Sequence, residues 1–105
     1  MRIKTRRGTI IDVFAFYVIG GNKYFYGLPP RYGALIAYRS EEVTVVDPEI
    51  SWRSVFFSDG IFHHSLIGDE LLDGLIERDE GNYRNFVAIL KAEGSIQQDF
   101  PEDLD

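Results

Sequence analysis

The sequence predicts an α+β domain: an antiparallel β-sheet or small barrel of about five to seven strands over residues 1–65, followed by two C-terminal helices. Runs rich in β-branched and aromatic residues recur from the N-terminus with turn signals between them, whereas helical periodicity is confined to the C-terminal part. A length of 105 residues with 45% hydrophobic residues is typical of one domain with a packed core.

The strands are predicted from alternating or continuous apolar runs that end at Gly, Pro, Asn or Asp. The predicted strands span residues 1–8, 9–19, 23–28, 34–38, 43–46, 50–57 and 61–65. The strongest turn signal is Gly20-Gly21-Asn22, which predicts a hairpin between the second and third strands. Asp12 interrupts an apolar run and is predicted to lie at a bulge or a turn.

Two amphipathic helices are predicted, over residues 68–78 and 82–93, because apolar residues recur there at helical spacing. The two apolar stripes are Ile67, Leu71, Leu72, Leu75 and Ile76, and Tyr83, Phe86, Val87 and Leu90. Asn82 is a suitable N-cap for the second helix, and Gly94 is a suitable terminator. We expect both stripes to close the core of the sheet.

The predicted domain covers residues 1–94, and residues 95–105 form an acidic C-terminal tail. Pro101 excludes a regular helix through this tail. Two interpretations stay open: a frayed acidic terminus, or an arm that docks Phe100 into a partner or onto its own domain.

Charge is divided unevenly along the chain. Residues 1–40 carry seven cations and one acid, a net charge of +6, whereas residues 41–105 carry four cations and 16 acids, a net charge of −12. Such asymmetry places a field of one sign over part of the surface. An acidic surface favours a basic protein partner and disfavours direct contact with nucleic acid, which requires clustered Lys and Arg.

The candidate partner-binding residues are acids opposite the helical stripes and acids of the tail, together with one tail aromatic. They are Asp69, Glu70, Asp73, Glu77, Asp79, Glu80, Asp99, Phe100, Glu102 and Asp103. The ordinary alternative for the helix acids is a solvated face without a partner.

No motif indicates an enzyme, a cofactor or a metal. His63-His64 are the only histidines, and neighbouring strand residues point to opposite faces, so we do not expect both to bind one metal ion. A small enzyme or ligand-binding barrel that uses the His63-His64 region stays open as an alternative. A nucleic-acid-binding barrel is a further alternative. It would combine basic residues near the N-terminus with tyrosines of nearby strands, namely Arg2, Lys4, Arg6, Arg7, Tyr17, Tyr24 and Tyr26.

The chain contains no cysteine and no apolar run long enough to cross a membrane, so we expect a cytoplasmic protein. In overall character, a short, acidic, cysteine-free and aromatic-rich α+β chain resembles the immunity proteins of bacterial toxin–immunity pairs, such as those of contact-dependent growth inhibition. The resemblance implies a monomer that binds one cognate toxin domain, often a basic nuclease, in a 1:1 complex and blocks its active site without turnover.

Overall fold

The computed structural model describes residues 1–104, which form an α+β domain with seven strands and three helices. The strands are β1 (Arg2–Lys4), β2 (Ile10–Ile19), β3 (Asn22–Leu28), β4 (Ile36–Arg39), β5 (Thr44–Asp47), β6 (Ser54–Phe57) and β7 (Gly60–His63). The helices are α1 (His64–Gly68), α2 (Leu72–Ile76) and α3 (Glu80–Ala92), and a short 3-10 helix spans Ser40–Glu42. The predicted α+β class is confirmed, with an open antiparallel sheet instead of a barrel.

The long strand β2 organises the sheet because it pairs with three others. The sheet runs β4-β3-β2-β1-β5, and β7 pairs with the second half of β2 and carries β6 at its outer edge. The β2–β3 hairpin turns at Gly20 and Gly21, both with positive φ, as the sequence predicts. β4 and β5 lie at opposite ends of this strand order, yet only the short segment around Ser40–Glu42 connects them. Because so short a connection keeps the two end strands close together, the sheet is strongly curled.

A β-bulge in β2 lies two residues beyond the position that the sequence suggests. Asp12 pairs regularly with Leu28, and the register shifts between Val13 and Ala15. A bulge turns two successive side chains to the same side of a sheet. It thus brings both Phe14 and Ala15 into the core beneath the helices.

The larger core lies between the sheet and the helices. The fully buried side chains of α3 are Tyr83, Phe86, Val87 and Leu90, the apolar stripe predicted from the sequence. Phe86 packs edge-on against Phe14 of β2, with ring centroids 5.5 Å apart. A smaller core on the other face of the sheet contains Ile3, Ile11, Val13 and Phe25.

The predicted helix over residues 68–78 is wrong in its extent, because α1 ends at Gly68 and the helix within this range is the short α2, Leu72–Ile76. Glu70 has a φ of +56°, and a left-handed residue ends α1 before α2 begins at Leu72. The predicted N-cap Asn82 is also wrong. The Asp79 carboxylate accepts a hydrogen bond from the Asn82 backbone N–H at 2.9 Å, so α3 begins two residues earlier.

The predicted boundary at residue 94 does not separate the tail from the core. Ile96 and Phe100 are buried in the larger core, and the Tyr83 hydroxyl donates a hydrogen bond to the Pro101 carbonyl at 3.1 Å. Leu104 packs close to Gly33. The tail is therefore an arm docked on its own domain, and Phe100 is a core residue with 9% exposure, not an exposed partner contact. Asp105 lies outside the described residues.

Among residues 1–104, the longest helix is α3, and none of the helices combines the length and apolar character that a membrane span requires.

Candidate partner-binding surface

A groove of about 480 Å³ lies between the end of β6 and the segment from α1 to α2. Its lining combines apolar and acidic side chains: Phe57, Leu66, Ile67, Glu70, Leu72 and Asp73. Phe57 is 51% exposed, which is unusual for a large aromatic residue. The groove thus offers an apolar floor beside two carboxylates.

Local backbone geometry places both acids at the groove. Glu70 adopts a left-handed backbone conformation between α1 and α2. Asp73 lies in the first turn of α2, where an acid suits the positive helix terminus. The predicted site residues Glu70 and Asp73 therefore lie in one groove with Phe57, which was not among the predicted partner-binding residues.

The predicted acids differ in how far nearby cations neutralise them. Arg84 donates to the Glu80 carboxylate at 2.8 Å, and Lys91 lies 3.6 Å from Glu102. The hydrogen bond that Arg84 donates to Glu80 raises the pKa of Arg84, and the charges of Asp103 and Glu102 add to this effect. Glu80 and the tail acids Glu102 and Asp103 are thus partly neutralised by Arg84 and Lys91.

The acids nearer the groove are not neutralised in this way. Within residues 1–104, no ion pair is formed by Asp69, Glu70, Asp73 or Glu77. Asp79 is occupied as the N-cap of α3, and Asp99 is exposed beside Arg2 in a separate cavity. Among the ten predicted residues, Asp69, Glu70, Asp73 and Glu77 therefore form one segment of acids without ion pairs within residues 1–104.

The basic N-terminal residues do not neutralise the groove. Arg2 pairs with Asp12 at 3.1 Å, and Arg6 and Arg7 line a cavity with Glu42. That cavity also contains Tyr38 and Val43 and lies beside the β1–β2 turn, away from the residues of the groove.

An exposed edge strand adjoins the groove. β6 pairs with β7, and no other strand among residues 1–104 covers its second edge. Phe56 in this strand is 78% exposed, the most exposed large hydrophobic residue described. The run Val55-Phe56-Phe57 was a strand signal in the sequence, but nothing there distinguished an edge strand from an interior one.

The two phenylalanines of β6 point to opposite faces of the sheet. Phe57 approaches Phe62 of the larger core, with centroids 6.2 Å apart, whereas Phe56 lies on the other face opposite Ile61. Ile61 is in turn paired with Phe16. The smaller core thus extends toward the β6 edge as an apolar row that ends at the exposed Phe56 ring.

The histidine pair was predicted to point to opposite faces, and this expectation is wrong. The strand ends at His63 and α1 begins at His64, so the two rings stack with centroids 4.4 Å apart. The Glu93 carboxylate at the end of α3 lies 2.7 Å from His63 Nε2 and 3.6 Å from His64 Nε2.

Hydrogen bonds determine the tautomer of His63. The Ser65 backbone N–H donates to His63 Nδ1 at 3.1 Å and caps α1, so this nitrogen is an acceptor. The Nε2 atom therefore carries the proton and donates a hydrogen bond to the Glu93 carboxylate. Burial lowers the pKa of His63, although Glu93 opposes this effect, and the ring is neutral near pH 7.

This arrangement does not suit metal binding or nucleophilic catalysis. A metal ion on His63 Nε2 would require the ring proton to move to Nδ1, which already accepts from Ser65. The Ser65 hydroxyl lies 2.9 Å from Nδ1, but both residues are fully buried and a substrate cannot reach them. The cluster instead ties β7 and α1 to the end of α3.

The residues of the nucleic-acid alternative are separated in space. Tyr17 stacks on Tyr24 and packs against Tyr26 near one end of β2, whereas Lys4 pairs with Ile10 at the other end. About seven residues along a strand correspond to about 23 Å. The basic residues and tyrosines therefore do not form one base-stacking groove.

Comparison with known protein families, with curated proteins and with solved structures gave no match.

Proposed function

We propose that this chain is an immunity-type inhibitor that binds a cognate basic toxin domain of the nuclease class and blocks its active site. The observation that carries the proposal is the groove lined by the exposed Phe57 together with Glu70 and Asp73, which form no ion pairs in residues 1–104. An aromatic centre with a charged rim is the usual anatomy of a protein interface.

The charge of the groove fits a nuclease because such an enzyme must present cations to phosphates. An acidic inhibitor is steered to these cations and binds them in place of the substrate. The protein would act in the cytoplasm as a monomer, in a 1:1 complex and without turnover. The overall resemblance to immunity proteins agrees with this function.

Ser65 and His63 are fully buried, so the enzymatic alternative has no accessible serine–histidine pair there. The binding function instead uses side chains that are already exposed, and it requires no rearrangement of the core.

The test is a double charge reversal in the groove, Glu70→Lys with Asp73→Lys, measured against the purified basic domain encoded by the neighbouring gene. We expect affinity to fall about 100-fold, which corresponds to about tenfold for each desolvated charge pair. The variant should also fail to inhibit the activity of that domain, and its binding should depend less on salt.

The matched control is Glu41→Lys with Glu49→Lys, which changes net charge equally at exposed positions outside the groove. This variant should keep most of the affinity. An equal loss in both double variants would show that only overall charge matters, and unchanged binding in the groove variant would reject the proposed site.

A further inference from the structure

The uncovered edge of β6 presents a backbone acceptor and donor at a defined residue. Pairing along the β6–β7 hairpin places Val55 opposite Phe62 and Phe56 opposite Ile61. Beyond the hairpin, the His64 N–H donates to the Arg53 carbonyl at 2.9 Å. Because bonded residues alternate in an antiparallel ladder, Arg53, Val55 and Phe57 bond toward β7.

The N–H and C=O of Phe56 therefore point away from β7, toward the uncovered edge. β6 carries none of the devices that usually protect an edge strand, since no proline, lysine or bulge occurs in Ser54–Phe57. By contrast, the edge strand β5 is followed directly by Pro48, and its pairing with β1 contains a register shift.

The surroundings of β6 differ between its two faces. On the helix face, Phe57 leads into the groove with Glu70 and Asp73. On the other face, Phe56 continues the apolar row of Ile61 and Phe16. A strand added beside β6 would place alternate side chains in these two environments.

We propose that β6 receives an extended strand of the basic partner, with Lys or Arg facing Glu70 and Asp73 and apolar side chains facing Phe56. This inference rests on the proposed function and specifies how the partner binds. Main-chain hydrogen bonds supply affinity in such strand addition, and the alternating side chains supply specificity.

Charge determines which end of β6 receives the cations. Arg53 lies at the start of the strand, whereas the exposed Asp59 lies in the turn next to Phe57. The cations of the partner therefore belong at the Phe57 end. Charge also disfavours a second copy of this chain, because the copy would bring its own acids to the same edge.

The first experiment uses a synthetic peptide of about eight residues, a common strand length, in which Arg and Val strictly alternate. The control peptide has the same composition with all Arg residues in one block, so that it cannot place its cations on one face. We expect the alternating peptide to bind about tenfold more tightly, by fluorescence anisotropy, and to protect the Phe56 amide hydrogen from exchange.

Two changes remove the main-chain bonds. N-methylation of alternate peptide amides should abolish binding when the methylated amides are those that would donate hydrogen bonds to β6. In the protein, Phe56→Pro removes the outward N–H without removing a bond to β7. Equal binding of both peptides, or an unprotected Phe56 amide, would overturn the inference. The peptide measurements decide this even if the proline variant does not fold.

The basic domain of the neighbouring gene separates failure of this inference from failure of the proposed function. If Glu70→Lys with Asp73→Lys weakens that complex while Phe56→Pro does not, strand addition is wrong and the function stands. If neither change matters, the proposed groove site is wrong as well, and absence of any complex with that domain would overturn the proposed function. Dimerisation of the chain that Phe56→Pro abolishes would show that a second copy occupies the edge.

Discussion

Two regions of one short segment reverse the usual placement of polar and apolar side chains. Phe56 is 78% exposed at the edge of β6, whereas His63 and Ser65 are fully buried at the start of α1. The polar residues resemble a catalytic group but cap a helix and connect it to Glu93. The aromatic residue resembles core material but lies on the surface. Burial, more than chemical type, thus indicates which of the two regions is available to a partner.

The largest expected effect tests the buried region. His63→Ala removes a ring packed against Phe14, Trp52 and Phe86, and it leaves the Ser65 N–H without an acceptor. We expect a loss of about 4 kcal/mol in the free energy of unfolding, by urea denaturation. Phe56→Ala is the matched control and should change stability by no more than about 0.5 kcal/mol. A similar cost for both variants would remove the distinction between the regions.

A second prediction extends the comparison to the tail, where an apolar residue was expected at the surface. Phe100→Ala should lower the free energy of unfolding by about 3 kcal/mol, because a nearly buried aromatic side chain leaves a cavity in the core. Asp103→Asn, two residues beyond Pro101 and exposed, should be nearly neutral in the same urea denaturation experiment. If Phe100→Ala were also neutral, the tail would not be docked.

The smallest effect concerns pH. Burial lowers the pKa of His63 below its ordinary value of 6.5, so below about pH 6.5 the unfolded chain binds a proton that the folded chain does not. This contribution to stability should therefore be complete above this pH and decline as the pH falls below it. Urea denaturation across this range should show a smaller decline for His63→Gln, whereas His64→Gln should retain it. The groups that face His63 here are Glu93, His64 and Asp69.

Much of the sheet could be predicted from the sequence because local signals define it. Gly20 and Gly21 supply the positive φ values of the β2–β3 turn, and each predicted strand region overlaps an observed strand. The helical spacing of apolar residues also identified the α3 core stripe. Pairing across the sheet, the bulge near Phe14 and the uncovered edge of β6 depend on long-range packing, so local patterns did not reveal them.

The site was only partly predictable for the same reason. Glu70 and Asp73 were selected by charge, but Phe57 appeared to be an ordinary strand residue. The strand-to-helix change between His63 and His64 has no strong local signal, which explains the error about their faces. The burial of Phe100 did have a local signal, because Ile96, Phe100 and Leu104 recur at four-residue spacing. Such spacing is typical of a segment with one packed side.

The attachment of β6 also has a consequence for the order of folding. β1, β2 and β3 pair through short connections, whereas β7 must find β2 across a long separation in sequence, as the pairing of Phe16 with Ile61 requires. Contacts of such long sequence separation form slowly because loop closure precedes them. β6 joins the sheet through β7 alone, so we expect the β6 edge to be attached to the sheet late in folding.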